Sequence, residues 1–527
     1  MTSKKLQVWL PLIFSIVLIA GMFLGYQMSD SKGLFKVEKP ESLQKALTII
    51  QRNYVDQVNL DSLQGGAIQE MMTHLDPHSV YFPPVELKEA NEELAGNFEG
   101  IGVEFNVFAD TVNVVYVLPD GPSDKLLQIG DKIIKADGYA IASKNLSFDS
   151  IKQYIRGKSG SKVTLDILRD NKQQSVTVTR GMVPVPSIDA AYMIDKTNGY
   201  IKLNKFTATS YEEFMRSLED LQKQGLQQLI LDLRGNGGGF MDEAINMADE
   251  FLDGDKLIVY TQGTNKPKRE YRCKRPGLFE QEKQKLTVLV DELSASASEV
   301  LAGALQDWCR AKIIGRRSFG KGLVQEQFDL PDGSALRLTV ARYYTPLGRS
   351  IQRPYNKGKK IYMEEISDRI YNGEALYADS NKVNNGKQFK TNCGTIVYGG
   401  GGIMPDAFVP IDTAGYPMAI NKLLADGGFN GFVYRYYLQH KQQIQAYKSS
   451  DDYNRNFVAD DMWKQFAVMA SNDSINLDVV VSARQKASLE ERMKALLARF
   501  RWRNNGFYQV LNNDDAAVLK ALEVMKK

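Results

Sequence analysis

The sequence predicts an α/β protein: a core of helix-covered, mostly parallel strands, preceded by a smaller β-rich domain, with helical regions at both ends. Three observations predict it. Between Gly199 and Trp308, near-continuous apolar strand runs alternate with amphipathic helices, the order of a parallel sheet built by crossovers and buried on both faces. Over 96–182 the period drops to two, in short β-rich runs separated by Asp, Gly, Pro and Ser. Over 30–95 and 413–527 apolar residues return at helical spacing. The chain has 527 residues, and at roughly 150 residues per domain that allows about three or four domains. With 43% hydrophobic and 24% charged residues, it is neither disordered nor a polytopic membrane protein. Lys and Arg (66) barely exceed Asp and Glu (63), so no basic excess points to a nucleic-acid partner.

The elements follow in chain order. Lys4 and Lys5 precede an uncharged run from Leu6 to Ser29. Its apolar core supplies the roughly 20 positions a membrane-crossing helix needs. The two lysines place the rest of the chain outside the cytoplasm, and residues 1–29 are expected to be a single-pass anchor in the inner (cytoplasmic) membrane with everything else periplasmic. A cleaved signal peptide is the rival reading, but no A-x-A-like site follows the run. Residues 30–95 read as helical, closing on the proline-rich turn LDPHSVYFPP (75–84), and His74 and His78 beside it read as packing or hydrogen-bonding residues. In the β-rich domain, IGVEFNVF, TVNVVYVL, KVTLDILR and SVTVTR read as strands, Phe148 to Ile155 as a helix, and the segment after Gly121 as a short helix. In the core (183–412), GYIKLNKF, LQQLILDLR, KLIVY and KLTVLVD read as strands. Ser210 to Gly225 reads as a helix with Phe214, Leu218 and Leu221 on its buried face, and Phe240–Leu252 and Ser296–Trp308 as two more. From about Met418 the chain is helical, and its basic run Arg499, Arg501 and Arg503 reads as a solvated or interface face.

Composition also limits the chemistry. There are three histidines (His74, His78, His440) and three cysteines (Cys273, Cys309, Cys393). No metal-ligand spacing can be assembled from them, so no metal or other cofactor is expected. One disulfide is possible and none is demanded. Gly315 to Lys321 fits the first seven positions of a P-loop, but Gly322 stands where Ser or Thr must hold Mg²⁺, and LVQEQF after it alternates as a strand.

Two segments ask for a functional explanation. SASASEVLAGALQD (294–307) puts three serines at a small-residue turn opening a helix, more than one N-cap requires. GRRSFGKGLVQ (315–325) places a lysine between glycines. Together with LDPHSVYFPP, DLRGNGGG (232–239) and TPLGRSIQ (345–352), they resemble the carboxy-terminal processing (tail-specific) proteases, Ser-Lys peptidases of family S41 related to the tricorn protease. The resemblance covers about 40–410. Within it GPSDKLLQIGDKIIKADGYAI (121–141) resembles a PDZ domain.

That resemblance implies a core of the Clp-protease/crotonase type with the PDZ domain ahead of it. By its spacing the nucleophile is the middle serine, Ser296, the base is Lys321, and the supporting glutamine is Gln325. A serine hydroxyl needs a base; a free lysine, with a pKa of about 10.4, is protonated, so Lys321 must be buried enough to be largely neutral. Residues four apart on a straight strand lie about 13 Å apart, so Gln325 reaches Lys321 only if the chain bends after Gly322. Oxyanion donors are expected from the N–H of Ala297 and from Gly237 or Gly238, the choice left open. The loop EGIGVEF, with Gly100, Ile101, Gly102 and Val103, is expected to receive a peptide carboxyl end, the neighbouring strand edge taking the peptide as an added strand. Arg156 is expected to link the bound tail to the protease site. The expected activity is a serine endopeptidase cleaving exported proteins or peptides near their C-termini through an acyl-enzyme, with substrates bound by their tails and a homo-oligomer allowed. The alternative is a catalytically inactive PDZ scaffold in the cell envelope.

Overall fold

The structure, a computed structural model, describes residues 3–30, 42–108, 110–142, 144–378, 386–413 and 415–526. The part of the expected amino-terminal helical region over 31–41 lies outside them. The chain forms two compact units, 1–74 and 75–527.

Among the described residues the first unit contains three helices, Ser3–Asp30, Ser42–Asn53 and Leu60–Thr73. Asn59 caps the last, its side chain accepting from the Ser62 N–H, as a short polar side chain does at a helix start. The first carries exposed apolar side chains, among them Phe14, Val17, Ile19 and Phe23. Among the described residues no helix is long and apolar enough to cross a membrane. His74 is exposed beside Glu70 and does not pack.

In the second unit a six-stranded sheet runs, among the described residues, in the order Ile188–Met193, Asn198–Leu203, Gln228–Asp232, Lys285–Val290, Lys312–Gly315, Ala407–Phe408. All neighbours are parallel except the first pair. Leu229 and Leu231 face a core with Phe214, Leu218 and Leu221 of the helix Ser210–Lys223 and with the helices Met241–Asp249 and Ala297–Asp307. Alternation sends Ile230, Leu289 and Ile314 to the opposite face, where Ala517, Val518, Ala521 and Met525 of the final helix, Ala516–Lys526, cover them. Strands apolar on both faces need a layer on each side, and the carboxy-terminal end of the chain supplies the second.

KLIVY does not join this sheet. Leu257–Gly263 pairs antiparallel with Lys266–Arg272 and Ala335–Tyr344, which also takes Leu323–Asp329 and the short strand Val80–Phe82. An apolar run of four, Leu257 to Tyr260, shows burial, not which sheet receives it. LDPHSVYFPP is therefore not only a turn: its Val80–Phe82 is an edge strand, and Pro84 opens the helix Pro84–Ala95 at its first position, where proline's missing N–H costs nothing.

The β-rich domain has the expected strands, Val103–Phe108, Thr111–Val117, Lys162–Arg169 and Lys172–Thr179, with Lys132–Ala136 between them and the helix Phe148–Ile155 closing its core. The short helix expected after Gly121 is a series of turns, since Asp120, Lys125 and Gly130 take positive φ there. LVQEQF is a strand, which disposes of the P-loop reading. A helix not foreseen, Lys359–Tyr371, follows the core strands. Cys309 and Cys393 form a disulfide, while Cys273 is buried and free.

Candidate active site

A cleft of about 960 Å³ opens over the carboxyl ends of the parallel strands, and Ser296, Lys321, Gln325, Gly237, Gly238 and Ala297 all line it. The serine lies where Lys285–Val290 turns into the helix Ala297–Asp307, with φ 57° and ψ −114°. A non-glycine residue holds that left-handed backbone only where its surroundings enforce it, and such strain is typical of a nucleophile presented on a strand-to-helix turn. The hydroxyls of the three serines differ in use. Ser294 Oγ donates to the Leu233 carbonyl (2.8 Å) and Ser298 Oγ to that of Asn236 (2.9 Å), both in full burial. Ser296 is half-buried in the cleft wall.

The glycine loop is docked on this turn. The Asn236 carbonyl also accepts from the Ala295 N–H (3.0 Å). Gly238, at φ 99°, lies so close that a Cβ there would come within 2.7 Å of Ser296 Cβ. Its N–H is turned to the Asn236 side chain (2.9 Å). The N–H groups of Gly237 and Ala297 make no hydrogen bond among the described residues, and Gly237 is exposed to the cleft.

Lys321 enters from the segment between Gly315 and Leu323. Its Nζ donates to Gln325 Oε1 (2.8 Å). The bend this requires comes from the strand pairing: Val324 lies opposite Ala341 but Gln325 opposite Thr339, so the register slips by one, and such a bulge twists the strand locally. Gln325 Nε2 in turn donates to the carbonyl of His78. Burial, aided by the charge of Arg337, lowers the Lys321 ammonium to about 8, against the opposing influence of Asp76 and Glu299. The His78 ring, lowered to about 4 by burial and then by Lys321, is neutral at physiological pH and meets the Tyr362 hydroxyl at 2.9 Å.

Two residues that tie the serine turn to the lysine segment escaped the sequence reading. The buried Glu299 carboxylate accepts from the N–H groups of Ser296 (2.9 Å), Gly320 (2.7 Å) and Lys321 (2.9 Å) and from Ser318 Oγ (2.5 Å). Burial raises its pKa, against these donors. The Ser-x-x-Glu spacing of 296–299 is a capping-box signature and was readable. The Tyr343 hydroxyl lies between the carbonyls of Ser296 (3.0 Å) and Lys321 (2.5 Å), a role with no local signal. His78 contributes through its backbone, which no side-chain pattern reveals.

In the β-rich domain Gly100 ends the strand Asn97–Gly100, Ile101 is buried in the core, Gly102 turns at φ 71°, and Val103 begins the edge strand. Among the described residues one side of that strand pairs with no other strand, and Phe105 on it lies against Phe148 of the helix Phe148–Ile155 with ring centroids 4.7 Å apart. Arg156 caps this helix. Its guanidinium stacks on Phe98 (4.2 Å) and approaches Glu92 (3.7 Å), on the helix Pro84–Ala95 whose last turn lines the cleft. Among the described residues no three His, Cys, Asp or Glu side chains gather as a metal site.

Residues 197–358 match the family described as peptidase family S41, 100–179 the PDZ domain, 24–84 the amino-terminal domain of the activating protease CtpB, and 419–503 a family of unknown function. Over 385 residues the chain is 31% identical to a "Probable CtpA-like serine protease" of Staphylococcus epidermidis (strain ATCC 12228 / FDA PCI 1200), covering 72% of this chain and 76% of that one. The chain belongs to the carboxy-terminal processing proteases of family S41. A Staphylococcus haemolyticus relative is 32% identical over 355 residues, 66% of this chain and 71% of its own. Among solved structures the photosystem II D1 C-terminal processing protease shares 28% identity over 58% of this chain and 89% of its own, at a TM-score of 0.34. The protease is thus a serine protease carrying a PDZ domain, and its helical carboxy-terminal segment falls in a family without an assigned role.

Proposed function

We propose that this protease cleaves exported proteins or peptides near their C-termini by a Ser-Lys mechanism. Ser296 Oγ attacks the scissile carbonyl and its proton passes to Lys321 Nζ. The oxyanion is held by the N–H groups of Gly237 and Ala297, which make no hydrogen bond among the described residues, in preference to Gly238, whose N–H Asn236 occupies. Lys321 returns the proton to the departing amine, leaving an ester on Ser296, and then serves as base for the water that hydrolyses it. Gln325 aims the amine, and the His78 carbonyl aims Gln325. The observation that carries this reading is the state of Lys321: half-buried in the cleft wall, tied to Gln325 and lowered to about 8. About one molecule in ten then has a neutral amine at pH 7, against about one in 3,000 for an ordinary lysine.

The PDZ domain is proposed to receive the substrate's carboxyl end at the loop 100–103 and to report it to the cleft through Arg156, which touches both Phe98 and Glu92. An inner-membrane anchor over 1–29 is proposed on the sequence alone, from Lys4, Lys5 and the uncharged run that follows them, since no described helix has the length and apolarity of a membrane span. The Cys309–Cys393 disulfide supports an oxidising space for the rest of the chain. The test is labelling by a fluorophosphonate probe and hydrolysis of fluorescein-labelled casein. Wild type is expected to react in both, and Ser296→Ala and Lys321→Ala in neither. Labelling that survives Ser296→Ala would overturn the assignment.

A further inference from the structure

The helical carboxy-terminal extension touches the PDZ sheet at one end and the base of the glycine loop at the other. At the PDZ end, Glu104 of the edge strand accepts from Arg499 Nη2 (3.1 Å) and Arg503 Nη2 (2.5 Å). The Arg503 guanidinium also lies 3.3 Å over the ring of Tyr116. Tyr434 adds a hydrogen bond to the Val114 carbonyl (3.1 Å) and packs its ring on Phe108. Arg503 interrupts the helix Ala483–Leu511 with φ 56° and ψ −151°, a strained backbone held by its surroundings. From this bend the chain grips the first strand of the core sheet: Asn505 accepts from the Ala191 N–H (2.8 Å) and Asn512 donates to the Tyr192 hydroxyl (2.7 Å).

At the far end Asp515 performs two tasks. Its carboxylate accepts from the N–H groups of Ala517 and Val518 (both 2.9 Å), opening the final helix, and from Arg234 Nη1 (2.8 Å). Arg234 is the residue immediately before Gly235, and it also holds the fully buried Asp232 (2.6 Å). A loop whose glycines have no side chains to anchor them depends on its base for position, and this base is set in part by the extension.

We propose that the carboxy-terminal extension is a strut that couples the placement of the PDZ edge strand to the oxyanion loop, with Arg503 as its PDZ end and Asp515 as the positioning residue at the active site. The proposal rests on the Ser-Lys reading. Only twelve positions separate its two ends, and both are charge-paired across domains. Any displacement of the edge strand therefore pulls, through Glu104 and Arg503, on the same element that fixes Arg234.

The test is the second-order rate at which a small fluorophosphonate modifies Ser296 in the full chain. The probe uses the oxyanion site but is too small to engage the PDZ edge. Asp515→Asn is expected to slow it about tenfold, a fraction of what loss of an oxyanion donor costs, and Asp515→Glu to recover most of the rate. Arg503→Ala and the milder Glu104→Gln are expected to slow it at least about threefold at unchanged folded fraction, which a purely structural contact would not do. Folding is checked by near-ultraviolet circular dichroism, and Glu104→Gln, being isosteric and partly exposed, serves if Arg503→Ala does not fold. Folded Asp515→Asn reacting within twofold of wild type would overturn the proposal. So would slowing by Asp515→Asn alone, with the Arg503 and Glu104 variants at the wild-type rate. Wild type reacting no faster than Ser296→Ala would remove the hydrolase reading itself, and the strut with it.

Discussion

The proton on Lys321 gives the sharpest test of the mechanism. If the neutral amine is the base, kcat/KM follows its titration, half-maximal near pH 8, where burial and Arg337 have lowered it. At pH 7 it should be about a tenth of the plateau and at pH 6 about a hundredth. Lys321→Arg keeps the length and the charge but never deprotonates in this range, so it should be as dead as Lys321→Ala, a loss of about 10²–10⁴-fold for a general base. The same lowering has a thermodynamic side. The folded state binds its proton less tightly than the unfolded state does, so the penalty is fully present below pH 8 and fades as pH rises towards 10.5, the unfolded value. Its size at pH 7 is of order ~3 kcal/mol. Lys321→Met should therefore stabilise the fold by up to that amount in urea melts at pH 7, with the gain shrinking at higher pH. The assay is pre-steady-state acylation from pH 6 to 10, paired with urea melts. A flat profile, or an inflection unchanged in Lys321→Ala, would refute the reasoning.

Three further outcomes follow. Gly238→Ala should abolish acylation, because its Cβ would press on Ser296 at a positive φ, whereas Gly237→Ala, whose Cβ meets open space, should remain active; Gly237→Pro, lacking the N–H, should lose about 10²–10³-fold in kcat. Glu299→Gln turns an NH₂ group towards donors that now meet a carboxylate, and should cost ~2–4 kcal/mol in urea melts together with most of the activity; full stability would show that these hydrogen bonds carry no weight. Reducing Cys309–Cys393, which closes 84 positions of chain, should destabilise by about 2–4 kcal/mol, and a Cys309→Ser/Cys393→Ser variant should melt identically with and without dithiothreitol.

Much of this protein was legible in its sequence because the relevant signals are local. The helix Ser210–Lys223 buries the three residues its spacing selected, Phe148–Ile155 spans the expected positions, and Ser296, Lys321 and Gln325 stand in segments recognisable one at a time. What stayed hidden involves groups distant along the chain. The proposed preference for Gly237 over Gly238 rests on which N–H the Asn236 side chain takes. The meeting of Lys321 and Gln325 turns on a register slip against the later strand Ala335–Tyr344, and the placing of Gln325 on a backbone carbonyl at His78. The role of the last helix was invisible because its apolar face states only that something is covered, not that it is the second face of the parallel sheet. Residue types and short spacings determined the chemistry available and most of the elements. Which backbone groups were left free, and which charges met across domains, was decided by packing, since hydrogen bonds and ion pairs depend on positions in space that no stretch of neighbouring residues specifies.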